Sequence, residues 1–260
     1  MGRRNDDAYV LGTHALGEAD VIVTLLAESS GRVRGVAPSA RKSRRRFGGA
    51  LEPLTRVHAS WTEREGRELH RIDSLDLSHS YAAMQADPAR QAVCAVLAEL
   101  AAAVAREGEP DPKGFRLLGA VLDALELGLD AWTGIRYFEY WTLKLHGVLH
   151  EMDACSACGR ELSGNPPRKV SGDGIVRCAT CDREAGGNGR TLKPHDLAFL
   201  AGAAKTAPSG LAGFERAARP GGALEALLRG GIESFVERRF RTYRHLAAAV
   251  EPPAGEGSRR

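Results

Sequence analysis

Two cysteine pairs constrain this chain more than any other feature. Cys155-Ser-Ala-Cys158 is followed, nineteen residues later, by Cys178-Ala-Thr-Cys181. Two Cys-x-x-Cys knuckles at that separation match a four-thiolate zinc site. Each knuckle sets two sulfurs on one side of a tight turn, and two knuckles face to face complete a tetrahedron around Zn²⁺. Four protein ligands leave no coordination position for water or substrate, so the expected zinc is structural. Two disulfides, or a redox pair, are the competing uses of the same residues. The fifth cysteine, Cys94, lies on an apolar helical stripe and reads as a core residue. This usage suits a reducing compartment, so a cytoplasmic location is expected. No apolar run approaches the ~18 residues of a membrane span. Glu18 and Asp20 interrupt the first candidate for a signal-peptide core, so none is expected.

The 260 residues carry 43% hydrophobic and 27% charged side chains, with a formal net charge of +3, a composition that suits folded cores and says little about partners. Residues 7 to about 77 read as strands. Val10-Leu11, Val21–Leu26, Gly31–Val36, Leu51–Trp61 and Leu69–Leu77 are the candidates, with Glu65-Gly66 as the last turn. Five short strands predict a small closed barrel of OB-fold size, and an SH3-like barrel or an open sheet fits the same pattern.

From Asp87 the period becomes helical. Asp87-Pro88 and Asp111-Pro112 each offer an N-cap with proline at the first helical position. The stripes are Val93, Val96, Leu97, Leu100 and Val104, then Phe115, Leu118, Leu122 and Leu125 with Gly128 as a stop. A third helix carries Trp132, Ile135, Phe138, Trp141, Leu145 and Leu149, its aromatics at core spacing. Between the knuckles, Val170–Val176 reads as a hairpin with glycines at the turn, and Gly186-Gly-Asn-Gly189 as a flexible exit. Helical spacing resumes at Leu197 and Leu200. A last helix runs from Leu224 to Leu246, with Gly230-Gly231 as its kink or break. The expected fold class is α+β. An N-terminal OB-fold β-barrel (residues 1–80) is followed by an all-helical domain (81–154 and 192–250) with a four-cysteine zinc ribbon inserted at 155–191. The tail, 251–260, is too polar and too rich in proline and glycine to fold.

Between Glu28 and Glu52 lie seven cations, Arg32, Arg34, Arg41, Lys42, Arg44, Arg45 and Arg46, and no carboxylate. Arg32 and Arg34 share one face of a strand, and the other five sit in the loop after Pro38. Together they predict a positive surface that tracks phosphates, although an ordinary solvated loop carries such runs too. About five contacts to a single strand give log K against log salt a slope of roughly −3.5. Phe47 and Trp61 are candidates either for stacking bases or for core packing. Arg238, Arg241 and Arg244, spaced by three on the last helix, either extend this surface or complement a helix C-terminus. No Walker A loop, His-Glu-x-x-His, Gly-x-Ser-x-Gly or deaminase signature is present; His150 and Glu151 are adjacent and neither knuckle follows proline. The pattern is that of a binding protein, not an enzyme. An RNA-directed enzyme with a structural zinc ribbon, and a protein adaptor whose basic loop meets an acidic partner, are the alternatives.

Several segments resemble RecO, the bacterial recombination and repair mediator family. They are Val10-Leu-Gly-Thr-His-Ala-Leu-Gly-Glu-Ala-Asp-Val-Ile-Val-Thr-Leu-Leu26, Gly31-Arg-Val, and above all Arg46-Phe-Gly-Gly-Ala-Leu-Glu-Pro-Leu-Thr55, together with the two cysteine pairs. The resemblance extends to about residue 248. It implies an OB-fold, a helical domain with an inserted zinc finger, and a protein without catalytic turnover. It implies binding of single- and double-stranded DNA, annealing of complementary strands, and work with RecR and single-strand-binding protein to load RecA. The implied location is the cytoplasm, with the nucleoid. Zinc is not universal in the family, so metal binding here rests on the four cysteines.

Overall fold

The computed structural model describes residues 2–63, 66, 68–149, 152–162 and 167–250. Glu65 of the expected turn, the His150-Glu151 pair and the polar tail 251–260 lie outside them. Contacts divide the chain into two compact units, Met1–Leu118 with the chain from Arg241 onward, and Gly119–Phe240. These units cut the chain elsewhere than the sequence division, because the first long helix packs on the barrel and the last helix packs on that helix.

In the first unit, β1 (Arg3–Leu16), β2 (Asp20–Ala27), β3 (Gly31–Ala37), β4 (Arg56–Thr62) and β5 (His70–His79) close into a barrel of order β1-β2-β3-β5-β4. The closure is parallel, Gly35 opposite His70 and Val36 opposite Arg71. This is the OB-type barrel the strand count predicted. Alternation explains it: along β3, Gly31, Val33, Gly35 and Ala37 are buried while Arg32, Arg34 and Val36 are half-buried. The period of two therefore sends the apolar set inward and the arginines outward. The core includes Val10, Val23, Leu25, Val57, Trp61 and Ile72. Burial of each large side chain contributes about 1.5–3 kcal/mol. β1 begins earlier than its apolar residues suggest, because Arg3–Asp7 pair with His58–Thr62. A bulge between Val10 and Gly12 lets this long strand bend around the barrel.

Phe47 and Trp61 are each only 1% exposed and belong to this core. The base-stacking alternative for both is therefore corrected to packing. Phe47 ends a single helical turn, α1 (Arg44–Phe47), in the basic loop, and anchors that loop in the barrel. Leu54 is fully buried at φ 62, and its N–H donates to the Val10 carbonyl while the Val10 N–H donates to Thr55. The segment Arg46–Thr55 is thus a clamp with apolar anchors, not an extension of β4.

A short helix, α2 (Ala82–Gln85), leads to α3 (Pro88–Val104), capped by the Asp87 carboxylate accepting from Arg90 N–H at 2.9 Å. Asp111 caps α4 (Pro112–Glu126) through Gly114 N–H, also at 2.9 Å. Such caps are worth about 1 kcal/mol each. α4 crosses the division at Leu118. Cys94 is buried on α3, and burial pushes its thiol up to about 11, as an inert core residue requires.

The second unit is built on α5 (Ala131–Leu145), which Asp130 caps through Thr133. His146 and Gly147, at φ 69, end it, so Leu149 lies beyond the helix rather than on its stripe. The finger strands β6 (Lys169–Val170) and β7 (Val176–Arg177) form the expected hairpin, followed by α6 (Ala179–Glu184) and β8 (Arg190–Thr191), which pairs with β6. Gly186 and Gly187 have positive φ and donate to Arg183 and Asp182 carbonyls, so the expected flexible exit is an ordered helix cap. Then come α7 (Pro194–Ala203), a 3₁₀ turn (Pro208–Leu211), α8 (Glu215–Ala218) and α9 (Ala223–Phe235). α10 (Thr242–Val250) belongs to the first unit, where it packs on α3 and donates from Thr242 to Glu99.

The single last helix is therefore two, and Gly230-Gly231 is not the break. Both glycines are buried inside α9, and the chain turns at Glu237, φ 53. Their role is close approach. A Cβ on Gly230 would stand 2.4 Å from the Gly172 carbonyl oxygen, and one on Gly174 would stand 2.6 Å from Gly231 N. The finger's hairpin turn is seated backbone to backbone on α9.

Candidate metal centre and nucleic-acid interface

The four finger cysteines converge. The sulfurs of Cys155, Cys158, Cys178 and Cys181 all lie within 4.8 Å of one another, and Cys158 Sγ is 4.0 Å from Cys178 Sγ. A sulfur–metal distance of about 2.3 Å implies a tetrahedral edge of about 3.8 Å, so small inward movements complete the site. Local backbone sets this up. Gly159, at φ 69, donates to the Cys155 carbonyl and turns the first knuckle; Cys178 caps the start of α6, which turns the second. Backbone N–H groups point at sulfur: Cys178 N–H donates to Cys155 Sγ at 3.3 Å and Cys181 N–H to Cys178 Sγ at 3.5 Å. Leu162, Val170 and Val176 are buried in the same finger, and the Val176 carbonyl accepts from Ser156 N–H within the first knuckle.

Burial pushes the Cys155 thiol up, but N–H groups of Cys178, Cys158 and Ala157 outweigh it and hold it down to about 6. The N–H of Cys181 likewise lowers Cys178. Cys181, hydrogen-bonded to the Cys158 and Cys178 side chains, is pushed up to about 12. Thiolates this close repel, and a divalent cation is the charge that lets all four ionise together. The donor set has the composition and spacing of a closed metal site.

The cationic residues do not all behave alike. Arg32 and Arg34 project from the same face of β3, as expected. Arg32 is committed to its own unit, with Nη1 donating to the Ala102 carbonyl at 3.0 Å and Nη2 3.9 Å from Glu107. Arg46 is also committed, donating to the Pro38 carbonyl at 2.7 Å and to Ser43 Oγ at 3.2 Å while lying over the Phe47 ring. Arg41, Lys42 and Arg45 are exposed, Arg34 is half-exposed, and none of the four forms an ion pair among the described residues. The Arg44 side chain lies outside them. The loop is held at its base, where Ser39, at φ 54, donates its N–H to Asp20 and Arg41 N–H donates to the Ala19 carbonyl. The exposed cations thus stand on a rigid platform.

The second basic group is not carried on the single helix its spacing suggested. Arg238 follows the end of α9 and stacks on Phe240, Arg241 precedes α10, and Arg244 is on α10. Barrel closure also adds what no local pattern signals: Arg71 of β5 is brought beside Val36, where Asp73 pairs with it at 3.2 Å.

Fold and site define a class: an OB-type barrel with a one-signed basic loop, followed by helices that carry an inserted four-cysteine cluster. Residues 1–81 match the family model "Recombination protein O N terminal", and residues 85–243 match "Recombination protein O C terminal". The chain is 38% identical over 250 residues to the DNA repair protein RecO of Anaeromyxobacter dehalogenans, spanning 95% of this chain and 96% of the relative. It is 40% identical over 182 residues to that of Koribacter versatilis, 70% of this chain and 74% of the relative. The chain belongs to the RecO family of DNA repair proteins. Among the described residues no helix is long and apolar enough to cross a membrane.

Proposed function

We propose that this chain is a recombination mediator that binds single- and double-stranded DNA through the basic face of its barrel and anneals complementary strands. With RecR, it helps to load RecA onto strands coated by single-strand-binding protein. The observation that carries the reading is a group of accessible cations of one sign, Arg34 on β3 and Arg41, Lys42 and Arg45 on a loop anchored by Phe47. Arg32 and Arg46 support that surface through their backbone bonds. Cations on a fixed platform neutralise phosphates, release counterions, and reduce the repulsion between two strands held on one surface. Pairing then nucleates without a covalent step, so no catalytic turnover is required. The four thiolates hold Zn²⁺, as borderline-soft, geometry-tolerant zinc suits a closed sulfur cage. The protein acts in the cytoplasm, at the nucleoid.

The test is annealing of complementary strands coated with single-strand-binding protein, with and without this chain. A clear acceleration is expected, weakened by added salt. A rate unchanged at every concentration would exclude the annealing role.

A further inference from the structure

The four finger cysteines are not equally reachable. Cys155 and Cys178 are buried, Cys181 is half-buried, and Cys158 is exposed. Its surroundings keep it open: Ser156, Ala157, Gly159 and Arg160 are all exposed, and a Cβ on Gly159 would meet nothing within 4 Å. A small oxidant in solution therefore meets Cys158 first. A second sulfur stands beside it, Cys178 Sγ at 4.0 Å across the two knuckles. A disulfide needs about 2.05 Å between its sulfurs, so a closing movement of about 2 Å lets the pair bond.

Whatever holds these sulfurs together also holds the finger on α9. The finger strands are two residues long, and the turn at Gly172 and Gly174 meets Gly230 and Gly231 backbone to backbone. Such a seat depends on the shape of the turn, and the turn keeps its shape only while the knuckles on either side of it are joined. In a site of this kind the binding free energy of the metal is folding free energy. Taking two of the four thiolates into a disulfide halves the ligand set, releases the metal and frees the turn. Cys94, buried on α3 in the other unit, gives the same chain a protected thiol for comparison.

We propose that the finger is a reversible peroxide-sensitive switch, with Cys158 as the reactive thiolate and Cys178 as its resolving partner. The proposal rests on the zinc reading above. The Cys158 sulfur attacks one oxygen of hydrogen peroxide, the O–O bond breaks and hydroxide leaves, so that Cys158 becomes a sulfenic acid. The Cys178 thiolate then attacks that sulfur, the S–O bond breaks, a second hydroxide leaves and the S–S bond forms. The two thiolates lose two electrons, the peroxide gains them, and both hydroxides take up protons from solvent to become water. A thiol reductant cleaves the new bond by exchange, after which Zn²⁺ can gather the four sulfurs again. The barrel strands hold neither sulfur and keep their fold throughout.

The test treats the zinc-loaded full chain with hydrogen peroxide and follows released zinc, tryptic peptide masses and amide exchange. Cleavage after Arg160, Arg177 and Arg183 leaves Cys155 and Cys158 on one peptide and Cys178 and Cys181 on another. The two peptides are expected to be joined, with fragment masses placing the bond between Cys158 and Cys178. Zinc release and faster exchange along α9 should accompany the bond, while Cys94 stays reduced. Reductant with added Zn²⁺ is expected to restore slow exchange; exchange that stays fast would mean damage, not a switch. Zinc retained under conditions that oxidise glutathione, or two peptides each closed on itself, would overturn the proposal and leave the zinc reading intact. A chain that takes up no zinc would overturn both. Cys158→His keeps a zinc-competent set of three cysteines and one histidine, and is expected to hold its metal through the same treatment. Equal release from that variant overturns the role of Cys158. Should it fail to fold, the peptide masses of the natural chain decide.

Discussion

Gly230 shows how a single residue can be misread from its local propensity. Replacing a mid-helix glycine by alanine ordinarily stabilises a helix by about 1 kcal/mol. Here the added methyl would stand 2.4 Å from the Gly172 carbonyl and 3.1 Å from Gly174 N, so backbone must move. Overpacking of this kind costs about 1–3 kcal/mol and exceeds the propensity gain. Gly230→Ala is expected to destabilise the helical unit in urea unfolding; a stabilised variant would mean that the finger is not seated on α9. Acid sensitivity also has a local origin. Arg136 and Glu139 are fully buried, and Arg136 lies 3.5 Å from Glu225. Burial pushes the Glu225 carboxyl up, but Arg136, the Gly221 N–H and Arg229 outweigh it and hold it below 4.5. A folded value below the unfolded one means that this stabilisation is complete above about pH 4.5 and is lost as pH falls through the folded value. Glu225→Gln is expected to flatten that part of the acid-stability profile, and superimposable profiles would contradict the assignment.

At the scale of elements, the finger is a hairpin whose strands are two residues long, with Leu162, Val170 and Val176 as the buried aliphatic side chains among its described residues. So small a core cannot hold such a segment, whereas a structural zinc contributes roughly 10–16 kcal/mol of apparent binding free energy. Cys155→Ser or strong chelation is expected to unfold residues 155–191 and to raise amide exchange along α9. Exchange in β1–β5 should stay as it was. Protection of the finger after verified metal removal would contradict the staple role. Much of this level was legible in the sequence: the knuckles, the Asp-Pro caps and the period-two alternation of β3 are local signals with local causes. What was missed has non-local causes. Gly230-Gly231 reads as a break until the hairpin turn that needs them is in place. The Leu224–Leu246 pattern reads as one helix because nothing apolar marks the reversal at Glu237.

At the scale of the molecule, the site was legible as a charge run but not as a surface. Sequence placed seven cations in one interval; folding divides the six with described side chains into Arg32 and Arg46, spent on backbone carbonyls, and Arg34, Arg41, Lys42 and Arg45, turned to solvent. The end of α3, which accepts from Arg32, and the turn of the basic loop onto itself, which accepts from Arg46, decide which is which. The function proposed for this molecule depends on the four accessible cations gripping the phosphates. It is tested most directly by the salt dependence of binding to an arbitrary single strand, for the intact chain and for a variant with Arg34, Arg41, Lys42 and Arg45 all replaced by alanine. Each lost phosphate contact flattens log K against log salt by about 0.7, so a decrease in slope of about 2.8 is expected, equal for unrelated sequences, in a variant whose barrel remains folded. An unchanged slope and affinity would mean that DNA is held elsewhere.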